Sequence, residues 1–403
     1  MNCYSADFET ITTAPTRVWL WAICNINNHD SYVIDYDIDS FMEEIKRRKY
    51  NKCKIYFHNL KFDGTFIVDW LLKNGYSYIN SKKLKEDQFS TLISGMGQWY
   101  QIKVGTKHGY VTIQDSLKKL PFKVSEIAKA FDLSMTKGDI DYDKDREIGY
   151  KPDDVEIDYV KRDVGIVAQA LKFLNEQGMN KMTVASDALN TYKEMTGKFR
   201  QNYPLLTDEV DKFCLKSYRG GCVYVNPNFK GITIEENGIV LDVNSMYPWA
   251  MRYKLLPYGE PRYYKGEYIN DNNYPLYICH IYVHFKIKPD TFPSIQIKTS
   301  PRFLGREYVT DSKGFEELWL TSVDFKIFQD CYDIIDINYI DGYKFRANSN
   351  SFSLYIDKWI KVKQENTGAM RTLAKLMLNS LSCQGRIFVS YHLLDWLKHT
   401  IFS

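Results

Sequence analysis

The sequence predicts a multidomain chain of mixed α/β and α+β class. Three observations carry that expectation. The length of 403 residues is enough for two to four domains with real cores. The first two hundred residues open with three extended runs and then alternate helical and extended segments. A strand-rich stretch over 252–350 is followed by a helical one.

Composition narrows the class further. Hydrophobic content of 44% and charged content of 26% are ordinary for a globular protein. Aromatics reach 15%, with 31 Tyr, which suits base stacking but also follows from an AT-rich coding sequence. A net charge of +3 is too small to imply nucleic acid by itself, so any basic surface has to be local. The eight cysteines form no C-x-x-C pair, so neither a zinc knuckle nor a disulfide framework is indicated. No basic-then-apolar leader and no bilayer-length apolar run is evident, and a reduced, cytoplasmic protein without a membrane partner is expected.

Residues 2–9, 17–24 and 32–36 read as successive strands. A helix over 40–48 is amphipathic through Phe41 and Ile45, a strand follows over 53–58 and a helix over 64–74. That order is the one a ribonuclease-H-like α/β fold requires.

On this scaffold the carboxylates are the informative residues. Asp7 and Glu9, two apart on a strand, leave the same face, where like charges repel unless a cation lies between them. Alone, the pair would read as a solvated edge. Asp63 follows the fourth strand, with Asn59 four residues before it. Tyr56, His58, Phe62 and Phe66 interleave rings with these polar groups, as a stacking platform for single-stranded bases would; Phe62 and Phe66 also suit a plain core. Tyr159 and Asp163, at i and i+4 on a helix over 152–174, share one side of it. Asp7, Glu9, Asp63 and Asp163, with the Tyr159 hydroxyl to orient a water, make a two-metal phosphodiesterase site, and all-oxygen ligands favour Mg²⁺ or Mn²⁺ over zinc.

With these three segments the chain resembles the protein-primed family B DNA polymerases of small tailed phages, over nearly its whole length up to about Leu381. The resemblance implies a 3′→5′ proofreading exonuclease over 1–185, with Asp7, Glu9, Asp63, Tyr159 and Asp163 catalytic. It further implies that Lys137, otherwise an ordinary turn residue, contacts the scissile phosphate. Thr10, Tyr56, His58, Asn59, Phe62, Phe66, Ser116 and Leu117 would contact single-stranded DNA.

Beyond the first domain, Tyr218-Arg219-Gly220-Gly221 precedes a predicted strand over 222–225. Its glycines let backbone approach a phosphate, or simply make a hairpin turn. In the family such a segment holds the primer strand. Ile239-Val240-Leu241 reads as a buried strand ending in Asp242, a residue that either needs a cation or caps the following helix. By resemblance, Asp242 and the Val243 carbonyl bind metal and Tyr247 lies under the sugar of the incoming nucleotide. Residues 353–381 read as helix with a break near Gly368. Met370, Leu373, Met377 and Leu381 make an apolar stripe. Lys363, Arg371, Lys375 and Asn379 make a polar face that is either solvated or, as the resemblance implies, a clamp on a deoxynucleoside triphosphate.

These readings divide the chain into the exonuclease domain, a partial palm over 186–252, an insertion over 253–350, partial fingers over 351–381 and a non-homologous tail over 382–403. In the family the insertion contacts template-primer DNA and the terminal protein that primes. After Asn379-Ser380-Leu381 the family's Tyr-Gly pair is absent, and no second polymerase Asp motif follows. The expectation is a truncated polymerase whose exonuclease is retained and whose polymerisation is impaired, with a separately encoded C-terminal chain as a further partner. A free-standing exonuclease and a non-catalytic fragment binding DNA or terminal protein are the alternatives.

Overall fold

The structure, a computed structural model, describes residues 2–11, 15–81, 83–219, 223–235, 237–297, 300–305 and 307–383. The chain divides into two compact units, 1–187 with 362–376, and 188–361 with the residues from 377 onward.

The first unit is built on one mixed sheet. Strands β1 (Cys3–Thr10), β2 (Val18–Asn25) and β3 (Asn28–Asp35) form an antiparallel meander. Helix α1 (Ile38–Ile45) leads to β4 (Lys54–Phe57), which pairs parallel to β1, and α2 (Leu60–Lys73) follows. Then come β5 (Ser77–Tyr78), β6 (Gln88–Ile93), β7 (Trp99–Thr106) and β8 (Gly109–Asp115), giving the order β3-β2-β1-β4-β8-β7-β6-β5. Helices α3 (Val124–Ala130) and α4 (Asp154–Glu176) complete the unit. Strand β2 reads Val-Trp-Leu-Trp-Ala-Ile-Cys without alternation because both its faces are covered.

Alternation along β1 sorts its side chains. Tyr4, Ala6 and Phe8 enter a core with Phe41, Phe57, Ile67 and Leu71, where Phe8 meets Phe41 edge-on at 4.7 Å between ring centroids. Asp7 and Glu9 therefore leave by the opposite face, the one that α4 covers.

Two boundaries differ from the sequence expectation for physical reasons. The third strand begins at Asn28 because a two-residue turn closes it directly onto β2. Helix α2 begins at Leu60, four residues earlier than expected, because the Asp115 carboxylate reaches in from the end of β8. It accepts the Asn59 and Leu60 amides at 3.1 and 3.3 Å. Asn59 sits at φ 70°, the left-handed turn that lets the chain enter the helix there.

The second unit is led into by α5 (Val184–Thr196). It holds α6 (Phe199–Asn202), α7 (Asp208–Ser217), α8 (Met246–Tyr253) and strands β9 (Leu256–Lys265), β10 (Leu276–Ile287) and β11 (Glu316–Thr321). After α9 (Ser322–Cys331) comes the long β12 (Tyr332–Asn348), and the antiparallel order is β11-β10-β12-β9. Ile281, Val283, Phe285, Leu320, Phe328 and Tyr332 form its core. Helices α10 (Ser353–Glu365) and α11 (Gly368–Cys383) follow, separated at Asn366-Thr367 with Gly368 at φ 52°; residues 362–376, the end of α10 and the first half of α11, belong to the first unit. Of the apolar stripe on α11, Leu373, Met377 and Leu381 are buried and Met370 half-buried.

Two expected strands are not formed. Ile239, Val240 and Leu241 are extended coil, 86%, 98% and 88% exposed, and no described strand pairs with them. A buried strand needs hydrogen-bonding neighbours as well as apolar side chains, and local sequence supplies only the second. Residues 223–225 are likewise coil, while Gly220, Gly221, Cys222 and the tail over 384–403 lie outside the described residues.

One buried ion pair closes the first unit at its boundary. Lys119 donates to the Met179 and Lys181 carbonyls at 2.5 and 2.9 Å and to Asp187 at 3.2 Å. Burial lowers the Lys119 pKa against the opposing pull of Asp187. Asp187→Ala leaves an uncompensated buried ammonium and is expected to cost about 3–5 kcal/mol in urea unfolding. A loss below about 1 kcal/mol, the range of surface ion pairs, would contradict this account.

Candidate metal centre

The carboxylate face of β1 meets α4 at one point. One oxygen from each of Asp7, Glu9 and Asp163 lies within 4.8 Å of the others, and no further group of three potential ligand residues forms among the described residues. Glu9 and Asp163 are buried and Asp7 half-buried. Helix α4 is fixed in position by its capping box, Asp153 and Glu156, so Asp163 falls three turns in, facing the sheet.

The electrostatics are unfavourable without a cation. Burial first, and then the neighbouring Asp163, pushes the Asp7 pKa from 3.8 up to about 7. Burial and the charges of Asp7 and Asp163 raise Glu9 well above the usual carboxylate range. Asp163 is raised by burial, against the pull of Lys137. Lys137 is ion-paired with Asp163 and lies 5.0 Å from the Tyr159 ring centroid. Burial disfavours its ammonium, yet the bond to Asp163 and the charges of Asp163 and Asp7 together outweigh that and raise its pKa. The Tyr159 hydroxyl bonds the Tyr142 hydroxyl at 2.6 Å.

Asp63, in the first turn of α2, is not one of the three converging carboxylates but is close enough to feel them. Burial and then Asp7 raise its pKa, while amide hydrogen bonds, including that of Phe8, oppose the rise. Asp63 Oδ1 and Asp163 Oδ1 are buried without a hydrogen-bond partner. Buried carboxylate oxygens left unpaired beside other carboxylates fit a hard divalent cation with oxygen ligands.

The expected DNA-contacting residues divide into three groups. Phe62 is 53% exposed, with half-buried Phe66 beside it at 5.9 Å between ring centroids; Asn59 is exposed, and Thr10 and Leu117 are half-buried. His58 is half-buried with both ring nitrogens engaged, Nδ1 with Ser116 Oγ at 3.0 Å and Nε2 with the Phe122 carbonyl at 2.7 Å. Tyr56 and Ser116 are buried: Tyr56 is 3% exposed and Ser116 fully buried, its hydroxyl donating to the Phe57 carbonyl at 3.1 Å. Strand alternation places Tyr56 opposite the core residues Ile55 and Phe57, and it is buried because that face of β4 is covered as well.

Three residues escaped sequence reasoning. Asp115 ties the starts of α2 and of the following turn together, accepting the Leu117 amide at 3.0 Å as well; its place before Ser-Leu-Lys was a legible N-cap signal. Tyr142 fixes Tyr159. Arg146, buried, holds Glu156 through Nε and an Nη at 3.1 and 2.8 Å, stacks over Trp19 at 4.2 Å and so anchors the segment that carries Lys137. Nothing in its local sequence marked it.

In the second unit Asp242 is exposed and belongs to no group of three ligand residues among those described, and Val243 is 60% exposed. Helix α8 is entered through Ser245 at φ 55°, and Tyr247 is half-buried in its first turn. Tyr218 ends α7 half-buried. Arg219 is 8% exposed and donates to the Ser294 carbonyl at 3.2 Å, so its guanidinium faces protein rather than solvent. On α11, Arg371, Lys375 and Asn379 are exposed along one side; Lys363 lies on the preceding helix, where its carbonyl accepts from Arg371 at 2.7 Å. No helix among the described residues is long and apolar enough to cross a membrane.

Comparison with known proteins accounts for this architecture. The DNA polymerase of Bacillus phage phi29 is 44% identical over 387 residues, covering 94% of this chain and 66% of that protein. This chain thus spans about two thirds of that relative's length. The solved phi29 polymerase in complex with primer-template DNA and incoming nucleotides superposes with a TM-score of 0.87 at 43% identity, covering 95% of this chain and 68% of that one. Its complex with single-stranded DNA also gives 0.87, at 42% identity, covering 95% and 67%. The model of the organellar and viral type B DNA polymerases matches residues 44–384. Such a family uses a divalent metal, in keeping with the acidic cluster. This chain belongs to the organellar and viral type B DNA polymerases.

Proposed function

We propose that the first unit is a divalent-metal-dependent 3′→5′ exonuclease acting on single-stranded DNA, the proofreading centre of a protein-primed DNA polymerase used in phage or mobile-element replication. The observation that supports this best is the convergence of Asp7, Glu9 and Asp163 beside the unpaired oxygens of Asp63 and Asp163. These four carboxylates would hold Mg²⁺ or Mn²⁺, which supplies an activated water and stabilises the leaving 3′ oxygen.

The remaining roles belong to protein groups. The Tyr159 hydroxyl, fixed by Tyr142, orients the water. The Lys137 ammonium, kept charged beside Asp163, meets the scissile phosphate. Phe62 and Phe66 offer ring faces to unstacked bases, and Thr10, Asn59 and Leu117 border the strand. Tyr56, His58 and Ser116 act by positioning, since their polar groups or rings are turned into the fold.

The rest of the chain is read as palm over 186–252, insertion over 253–350 and fingers over 351–381. Its partners would be template-primer DNA, deoxynucleoside triphosphates, a priming terminal protein and a separately encoded C-terminal chain. On this reading Asp242 and Val243 bind metal, Tyr247 lies under the nucleotide sugar, Tyr218 and Arg219 adjoin the primer strand, and Lys363, Arg371, Lys375 and Asn379 face the triphosphate. A second reading, the exonuclease as the chain's one chemical activity, draws on the exposure of Asp242, which joins no group of three ligand residues among those described.

The test is cleavage of 5′-labelled single-stranded DNA by the full chain with Mg²⁺. Asp163→Ala is expected to slow shortening at least about a hundredfold, and near-normal rates in that variant would sink the assignment. The raised carboxylates also predict a pH dependence of stability. Between about pH 4 and 7 the folded, metal-free chain keeps a proton on Asp7 that the unfolded chain has lost. Its melting temperature should therefore fall as pH rises through that window. Asp7→Asn should flatten the slope, and Mg²⁺ should raise the melting temperature most above about pH 7, where the carboxylates are ionised. A metal-free profile rising with pH through this window would contradict the raised pKa.

A further inference from the structure

A second charged feature lies at the other end of the first unit's sheet. Residues 46–52 read Lys-Arg-Arg-Lys-Tyr-Asn-Lys, five cations in seven positions with no acid. The fold ties this run to the β7–β8 turn: the Lys52 amide donates to the Tyr110 carbonyl at 2.7 Å and the Tyr110 amide to Asn51 Oδ1 at 3.4 Å. A third segment joins them at Gly105, where an added Cβ would fall 1.8 Å from the Lys85 carbonyl oxygen, so only glycine admits the approach.

The three segments enclose a cleft of about 470 Å³ bordered by four basic side chains, Lys46, Arg47, Arg48 and Lys107, with His108 beside them and two carboxylates, Glu43 and Glu86. Lys46 is held by Glu43 at 2.9 Å and lies over Trp70; Arg47 is held by Glu44 at 2.9 Å. Arg48 and Lys107 are exposed, with no acidic partner among the described residues. Two anchored cations and two free ones therefore share one concave surface.

Topology separates this surface from the metal centre. The cleft lies at the start of β8 and the Asp115 end of β8 adjoins α2 and Asp63, and the seven-residue strand spans about 20 Å. The cleft has no exposed apolar anchor, its one ring being the largely buried Tyr76, so it lacks what a stable protein interface uses. A free guanidinium beside an ammonium suits phosphate oxygens.

We propose that this cleft is a second, sequence-independent contact for the phosphodiester backbone of nucleic acid, distinct from the track that delivers a 3′ end to the carboxylates. It rests on the nucleic-acid substrate proposed above.

The test compares the full chain with Arg48→Gln/Lys107→Gln in EDTA. A fluorescent oligothymidylate and a primer-template duplex are each titrated over a range of salt concentrations. The variant should bind several-fold more weakly on at least one ligand, and the slope of log affinity against log salt should shrink by about 1.4 for single strands, for two lost phosphate contacts. Single-turnover cleavage at saturating DNA should be unchanged. Equal affinity and slope on both ligands would overturn the proposal. So would a variant that loses binding only to poly-L-glutamate, which would assign the cleft to an acidic polypeptide. An unmodified chain that cleaves nothing with Mg²⁺, yet shows the slope change against the variant, would overturn the hydrolytic reading and support the cleft.

Discussion

Mutual repulsion among buried carboxylates is the constraint on which the first unit turns. Asp7, Glu9, Asp163 and Asp63 come from two helices and an interior strand of the sheet, so their closeness follows from the packing of the whole unit. A single ammonium, Lys137, faces them, and it satisfies one oxygen of Asp163 while leaving the other unpaired. Lys137, with Arg146 also acting on Glu9, does not offset the burial and mutual repulsion of these carboxylates, whose pKa values stay raised. Without metal the fold can tolerate the arrangement only by keeping carboxyls protonated, which is what the raised pKa of Asp7 expresses. An arrangement that weakens the free protein and becomes favourable around a dication is an expected property of a metal site.

The supporting network explains how such a site stays in place. Asp115, His58 and Ser116 link the ends of β4 and β8 to the start of α2, which sets the azimuth of Asp63. Arg146 and Glu156 anchor the segment bearing Lys137 to the first turn of α4, nearly two turns before Asp163. The Asp115 and Arg146–Glu156 links are charge-assisted and the His58–Ser116–Phe57 links are neutral hydrogen bonds, and together they fix the geometry from several sides.

Much of this was legible in the sequence, and the limits have physical causes. The three meander strands, the α2 and α4 helices and the carboxylates of β1 and α4 could be read because periodicity and spacing are local properties. The early start of α2 could not, because its cap comes from Asp115, 55 residues away along the chain. That Tyr56 is buried was not legible for a related reason: alternation places it opposite Ile55 and Phe57, but only the completed fold shows that both faces of β4 are covered. At 239–241 the apolar run was genuine, yet the described residues provide no strand to pair with it, and propensity without a partner does not make a strand. The break at Gly368 was legible because glycine after a helix carries its own conformational reason.

A near-neutral total charge can conceal both a strongly acidic and a strongly basic region when they are far enough apart. The metal centre and the cleft at Arg48 and Lys107 are separated by about 20 Å along β8, whereas the Debye length at physiological salt is about 8 Å. Neither field cancels the other at that range. A nucleic-acid strand approaching from solvent therefore meets local potentials of opposite sign instead of the average of +3. On the exonuclease reading proposed above, divalent cations would offset the acidic end, and a strand would need no help from the cleft to reach it. A cleft so placed would hold a different stretch of phosphates, and its contribution would belong to affinity and salt dependence, not to the bond-breaking step.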